Sequence, residues 1–192
     1  MRRKRLSCVV ALALCAVIVV AASGCGGDTA KAKQDMQQGD KMVQNLDAKG
    51  KELSKSINDF FGKLAQDVST GKTIDPNTFA QETKKLQGEL TAYTKEANKA
   101  KAEYKKIKGL KGVPDYVAYA DLMISVINRS NKEIDALVSF LGKTSQSVTA
   151  GTFDAAQFST EVSNLNADVQ KQGQTVNAEL KKAQDLKTKK KL

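Results

Sequence analysis

The feature that most constrains this chain is a spacing. From about residue 33 to residue 188 apolar side chains return every three or four positions, and prolines occur only at Pro76 and Pro114. A period near 3.5 gathers apolar side chains on one stripe of an α-helix and excludes the strict alternation of a half-buried strand. Proline suits the first turn of a helix, where its missing N–H has no partner to lose, so both prolines mark helix starts.

Four helices are expected. The first runs from about 33 to 69, with a stripe of Met36, Val43, Leu46, Leu53, Ile57, Phe60, Leu64 and Val68, and the turn STGKTIDPN stops it. The second covers about 77 to 108. Its seam is Phe79, Thr83, Leu86, Leu90, Tyr93, Ala97, Ala100, Tyr104 and Ile107. The third starts at Pro114 and carries Val117, Ala120, Ile124, Ile127, Ile134, Val138, Leu141 and Val148. Tyr116, Met123 and Leu137 widen that face, making it the most buried of the four. The fourth covers about 154 to 188, through Phe158, Val162, Leu165, Val169, Val176, Leu180, Ala183 and Leu186. Asn131 and Ser145 are polar residues on the third seam, where such residues fix register.

An internal repeat organises these helices. FFGKLAQDVSTGKTIDPNTF at 60–79 aligns with FLGKTSQSVTAGTFDAAQF at 140–158, offset by 80 before the turn and 79 after it. A duplicated helical hairpin accounts for this, with repeat 1 at about 36–110 and repeat 2 at about 114–190. Gly62 and Gly142 correspond and are expected to admit close helix contact. Each hairpin exposes one apolar face, and packing face to face buries both. The expected fold is all-α: an antiparallel four-helix bundle built from two repeated hairpins, with near-parallel, coiled-coil-like packing.

Little in the composition supports catalysis. The chain has no histidine and no tryptophan, so the usual general base at neutral pH and the commonest metal ligand are missing. Gly71-Lys72-Thr73 superficially suits a phosphate loop, but that motif needs a glycine five residues earlier, where Gln66 stands, and a preceding strand. No acidic cluster has the spacing of a metal loop. The expectation is a non-enzyme with no metal and no cofactor beyond covalent lipid.

The amino-terminal end carries the one motif of chemical consequence. Arg2, Arg3, Lys4 and Arg5 precede an uncharged apolar stretch from Leu6 to Ala22, which ends in small residues. This is the layout of an export signal. Ala22-Ser23-Gly24-Cys25 resembles the lipobox of bacterial lipoproteins. The resemblance implies a signal peptide at 1–24, diacylglyceryl transfer to the Cys25 sulfur, cleavage before Cys25 and further acylation (palmitate or a similar chain) of the new amino group. Two or more acyl chains hold a protein firmly at a membrane. Cys8 and Cys15 lie in the leader, so no disulfide is expected. Residues 25–35 read as a flexible tether, and 36–190 as the bundle.

Charge is unevenly placed. The chain carries a net +10. Residues 95–111 and 181–192 contribute about +5 each, while the turns at 66–82 and 143–161 are slightly acidic. Four antiparallel helices return the chain to the end where it started, so both basic clusters should stand beside the lipid. Lys105, Lys106, Lys108, Lys111, Lys187, Lys189, Lys190 and Lys191 are the candidate contacts for an anionic surface, either anionic lipid or cell-wall polymer. Nucleic acid is not an expected partner, because stacking aromatics are not interleaved with these lysines. The function expected is an extracytoplasmic interaction or structural module, lipid-anchored at the bacterial cell envelope. An unidentified protein partner would be met through the distal turns or a helix face. The alternative is a ligand-binding or sensory lipoprotein holding a small apolar molecule between helices.

Overall fold

The computed structural model describes residues 27–192. The expected signal peptide and Cys25 therefore lie outside the described residues. The chain forms α1 (Gly27–Ser69), α2 (Pro76–Ile107), α3 (Pro114–Thr149) and α4 (Ala155–Lys190). At about 1.5 Å per residue, the 36 residues of α3 span roughly 54 Å. Together the helices make an antiparallel four-helix bundle. α1 packs on α2, α2 on α3 and α3 on α4, with a smaller α1–α3 contact across the centre.

The two hairpin turns are built from the same hydrogen bonds. In the first, the N–H groups of Thr70, Gly71 and Lys72 donate to the carbonyls of Gln66, Val68 and Asp67. In the second, Ala150, Gly151 and Thr152 donate to Gln146, Val148 and Ser147, each 80 positions on. Gly71 and Gly151 take positive φ angles of 66° and 69°, which close the helix end without a Cβ penalty. The following helices are capped alike. The Asp75 carboxylate accepts from Thr78 N–H, and the Asp154 carboxylate accepts from Ala156 and Gln157 N–H.

The core follows the expected stripes most closely in α2, where all nine seam residues are buried, from Phe79 to Ile107. α2 is flanked by α1 and α3, so its seam is covered on both sides. In α1 the buried phenylalanine is Phe61 and Phe60 is half-buried, reversing the expected choice between adjacent rings; Val68 is also only half-buried. α3 buries a wider face than its seam. Tyr119, Val126, Ser130, Phe140 and Thr144 are covered because this helix meets α2 on one side and α4 on the other. Asn131 is buried and its amide donates to Asn98 Oδ1, whereas Ser145 is half-buried.

Three expectations are corrected. The residues read as a tether are helical from Gly27 onward, and Ala32 and Asp35 are buried. An apolar position every three or four residues already begins at Ala32, four before Met36, and this small side chain extends the stripe. α4 is buried only at Val162, Val176, Leu180 and Ala183, with Phe158, Leu165, Val169 and Leu186 left half-exposed. α4 is covered by α3 alone along most of its length. Finally, Gly62 has nothing within 4 Å of where a Cβ would stand. At Gly142 the expected close contact is present, since a Cβ there would lie 3.3 Å from Gln87 Nε2 of α2, and a still closer one occurs at Gly39, where a Cβ would lie 2.7 Å from Tyr104 Cζ.

Candidate functional site

The chain's described start, the end of α2, the start of α3 and the end of α4 share one pole. The Asp28 carboxylate in the first turn of α1 accepts from Lys111 N–H at 2.8 Å. Lys190 Nζ stands 3.2 Å from Asp115, at the start of α3. Lys108 Nζ stands 2.7 Å from Asp121. The expected clustering of both basic segments at one pole is therefore present.

The lysines there are not equivalent. Lys106 pairs with Glu103 at 2.6 Å, and that hydrogen bond is the chief reason its ammonium is held above its ordinary pKa. Lys108 and Lys190 pair with Asp121 and Asp115 in solvent-exposed bridges, each worth little against screening. Lys187 points inward: its side chain is 13% exposed and its Nζ donates to Asp40 Oδ2 at 2.6 Å. Buried and neutralised, it does not face a surface, which removes it from the expected contact set. Lys105, Lys111, Lys189 and Lys191 form no ion pair among the described residues.

The partner of Lys187 belongs to a cluster that the apolar stripes did not reveal. Asp40 Oδ1 accepts from the Tyr104 hydroxyl at 2.8 Å and from the Tyr119 hydroxyl at 2.7 Å. One carboxylate of α1 thus ties together one side chain from each of α2, α3 and α4. The tyrosine rings meet edge-on at 6.1 Å, and Lys187 Nζ lies 5.8 Å from the Tyr119 ring centroid. Burial first, then the Asp40 charge, pushes both phenols well above the usual tyrosine range. Both therefore remain donors, and the carboxylate is satisfied by two O–H groups and an ammonium. Gly39 belongs to the same arrangement, since any side chain there would displace the Tyr104 ring.

The sequence did hold a signal for this cluster. Asp40 is four residues after Met36 and three before Val43, on the stripe itself. An acid at a seam position predicts a buried partner, because an unpaired charge there costs several kcal/mol. The partner is 147 positions away.

Among the described residues no group of three or more acidic, histidine or cysteine side chains is placed to hold a metal ion, and no helix is long and apolar enough to cross a membrane. Compared with family models, curated proteins and solved structures, the chain matches none.

Proposed function

We propose that this chain is an extracytoplasmic lipoprotein, anchored through Cys25, whose bundle serves as an interaction or structural module at the bacterial cell envelope with its basic pole against the membrane. One observation carries the reading: the first turn of α1, where Asp28 stands three residues after Cys25 in the sequence, lies at the pole where the lysine-rich ends of α2 and α4 meet. A lipid on Cys25 would hold that pole within reach of the headgroups. Lys105, Lys111, Lys189 and Lys191 then supply the attraction, at about 1 kcal/mol per lysine near an anionic surface. The paired lysines contribute less, since their charge is already met by acids of the bundle. Anionic lipid is the first partner on this reading, and cell-wall polymer of the same charge the second. The distal turns remain available to a protein partner, and no reaction is involved.

The test has two parts. Mass spectrometry of the chain from its native membrane is expected to find cleavage before Cys25 and acyl chains on it; a retained leader or an unmodified cysteine refutes the anchor. The Cys25→Ser chain is expected to bind anionic vesicles and to release them as salt is raised. Replacing Lys105, Lys111, Lys189 and Lys191 by Gln should weaken that binding more than tenfold, while Lys108→Gln changes it little. Equal binding by the quadruple variant refutes the electrostatic contact.

A further inference from the structure

Between α3 and α4 a groove of about 600 Å³ opens on the side of the bundle. The middle of α4 lies against it. Leu165 and Val169, seam residues by sequence, are half-exposed there and form its apolar part. In the aligned repeat the α2 residues Leu86 and Leu90 are buried, at 4% and 0% exposure. The groove exists because α4 lacks the second flanking helix that α2 has.

Two of the charges lining the groove are met by partners in the bundle. Arg129 donates through Nε to both oxygens of Glu179, at 3.2 and 3.3 Å. Asp121 is met by Lys108. Lys132 and Asp168, one on each helix, are opposite in sign and exposed to solvent, without an ion pair between them. Glu133 has no such partner, and its Oε1 is wholly covered without a hydrogen bond. A buried carboxylate oxygen without a donor is costly and uncommon in folded proteins. Burial alone pushes this carboxyl up to about 7. Nearby, Tyr93 of α2 is raised chiefly by burial and then by the charges of Asp47 and Glu133; Asp47 is already paired with Lys51. Among the charges of the groove, Glu133 is therefore the one that is partly buried without a partner.

We infer that the α3–α4 groove is a binding site for a small organic amine with an apolar body, its ammonium donating to Oε2 of Glu133, the oxygen that is not covered, and its hydrocarbon lying along Leu165 and Val169. The observed space is an open crease of mixed polarity, which changes the ligand from the wholly apolar molecule expected for a dry interior. An ammonium at Oε2 supplies the counter-charge and a donor that the Glu133 carboxylate lacks. The apolar wall accounts for the rest of the contact, as in most small-molecule sites. The inference is independent of the membrane contact at the basic pole.

The experiment compares three probes of one shape: 1-naphthylmethylamine, 1-naphthalenemethanol and 1-naphthoate. Each is titrated into the full chain and followed through the methyl resonances of Leu165 and Val169. The amine is expected to bind at least tenfold more tightly than the alcohol or the acid. Glu133→Gln should remove that preference without altering the circular dichroism spectrum or vesicle binding. Ala136→Trp, which fills the rim, should abolish the methyl shifts. Equal binding of the three probes, an unchanged amine affinity in Glu133→Gln, or binding retained in Ala136→Trp would each overturn the inference.

Discussion

The two ends of this bundle join the same helices by different chemistry. At the distal end all six phenylalanines of the chain come together. Phe61 is the hub, with ring centroids 5.8 Å from Phe140 and 6.3 Å from Phe158. At the basic end the hub is Asp40, holding two tyrosines and a lysine. α1 and α4 have no continuous seam, so these two clusters are where they meet. Ring contacts are non-directional to within tens of degrees, as the interplanar angles of 27° to 81° indicate. They bury area and tolerate sliding. Hydrogen bonds to a single carboxylate do not tolerate it. The aromatic end gives the bundle cohesion, and the Asp40 end sets the register of all four helices.

The sharpest way to break this comparison is at Asp40. Asp40→Ala leaves a buried ammonium and two buried hydroxyls without an acceptor, and should cost about 3–5 kcal/mol. For a chain of this length that lowers Tm by roughly 6–20 °C, read by calorimetry. Lys187→Met alone should also destabilise, whereas pairing it with Asp40→Leu should recover much of the loss, as replacement of buried ion pairs by apolar groups often does. Additive losses in that double-mutant cycle would mean the ion pair is not the fastener.

A smaller effect is expected at Gly39. An added Cβ gains helix propensity of about 1 kcal/mol but meets the buried Tyr104 ring at 2.7 Å. The clash should win, with a net loss of about 1–2 kcal/mol in urea unfolding. Tyr104→Phe should not relieve it, because the contact is with ring carbons.

At the aromatic end Phe61→Leu should cost less than about 1.5 kcal/mol, since a non-directional cluster can repack. A loss as large as that of Asp40→Ala would erase the distinction between the two ends. The smallest effect concerns Glu133, outside both ends. Its folded-state pKa is raised, so the native state holds the proton more tightly than the unfolded chain does. Raising the pH from the ordinary glutamate range through about 7 therefore removes stability, and above that the loss is complete. Glu133→Gln should match the parent near pH 4 and exceed it at pH 8. Allowing for partial solvent screening, the gain is about 1 kcal/mol, or roughly 2–4 °C.

Legibility varied from helix to helix for a physical reason. The α2 seam could be read residue by residue because a helix flanked on both sides expresses its whole stripe as burial. α3 was read too narrowly, since a seam template assumes one partner face and α3 has two; Tyr119 and Phe140 fall on the second. α4 was read too generously, because Leu165 and Val169 have stripe spacing but only one neighbour. Of the eight lysines expected at an anionic surface, Lys187 was misread for a related reason. Its place in a basic run suggested solvent, and its actual partner could be known only once α1 and α4 were side by side.

What the sequence determined by itself was local. The helix period, the proline starts, the aspartate caps and the glycine-closed turns all arise from bonds within about five residues, as the hydrogen bonds of the two turns illustrate. The return of the chain to its starting pole follows from the number of helices. Tertiary structure alone decided which lysines are neutralised, which acid is buried and which flank stays open. Most of those outcomes depend on distances between residues on different helices, 147 positions apart for Asp40 and Lys187, and a charge or an apolar side chain behaves according to what stands across from it.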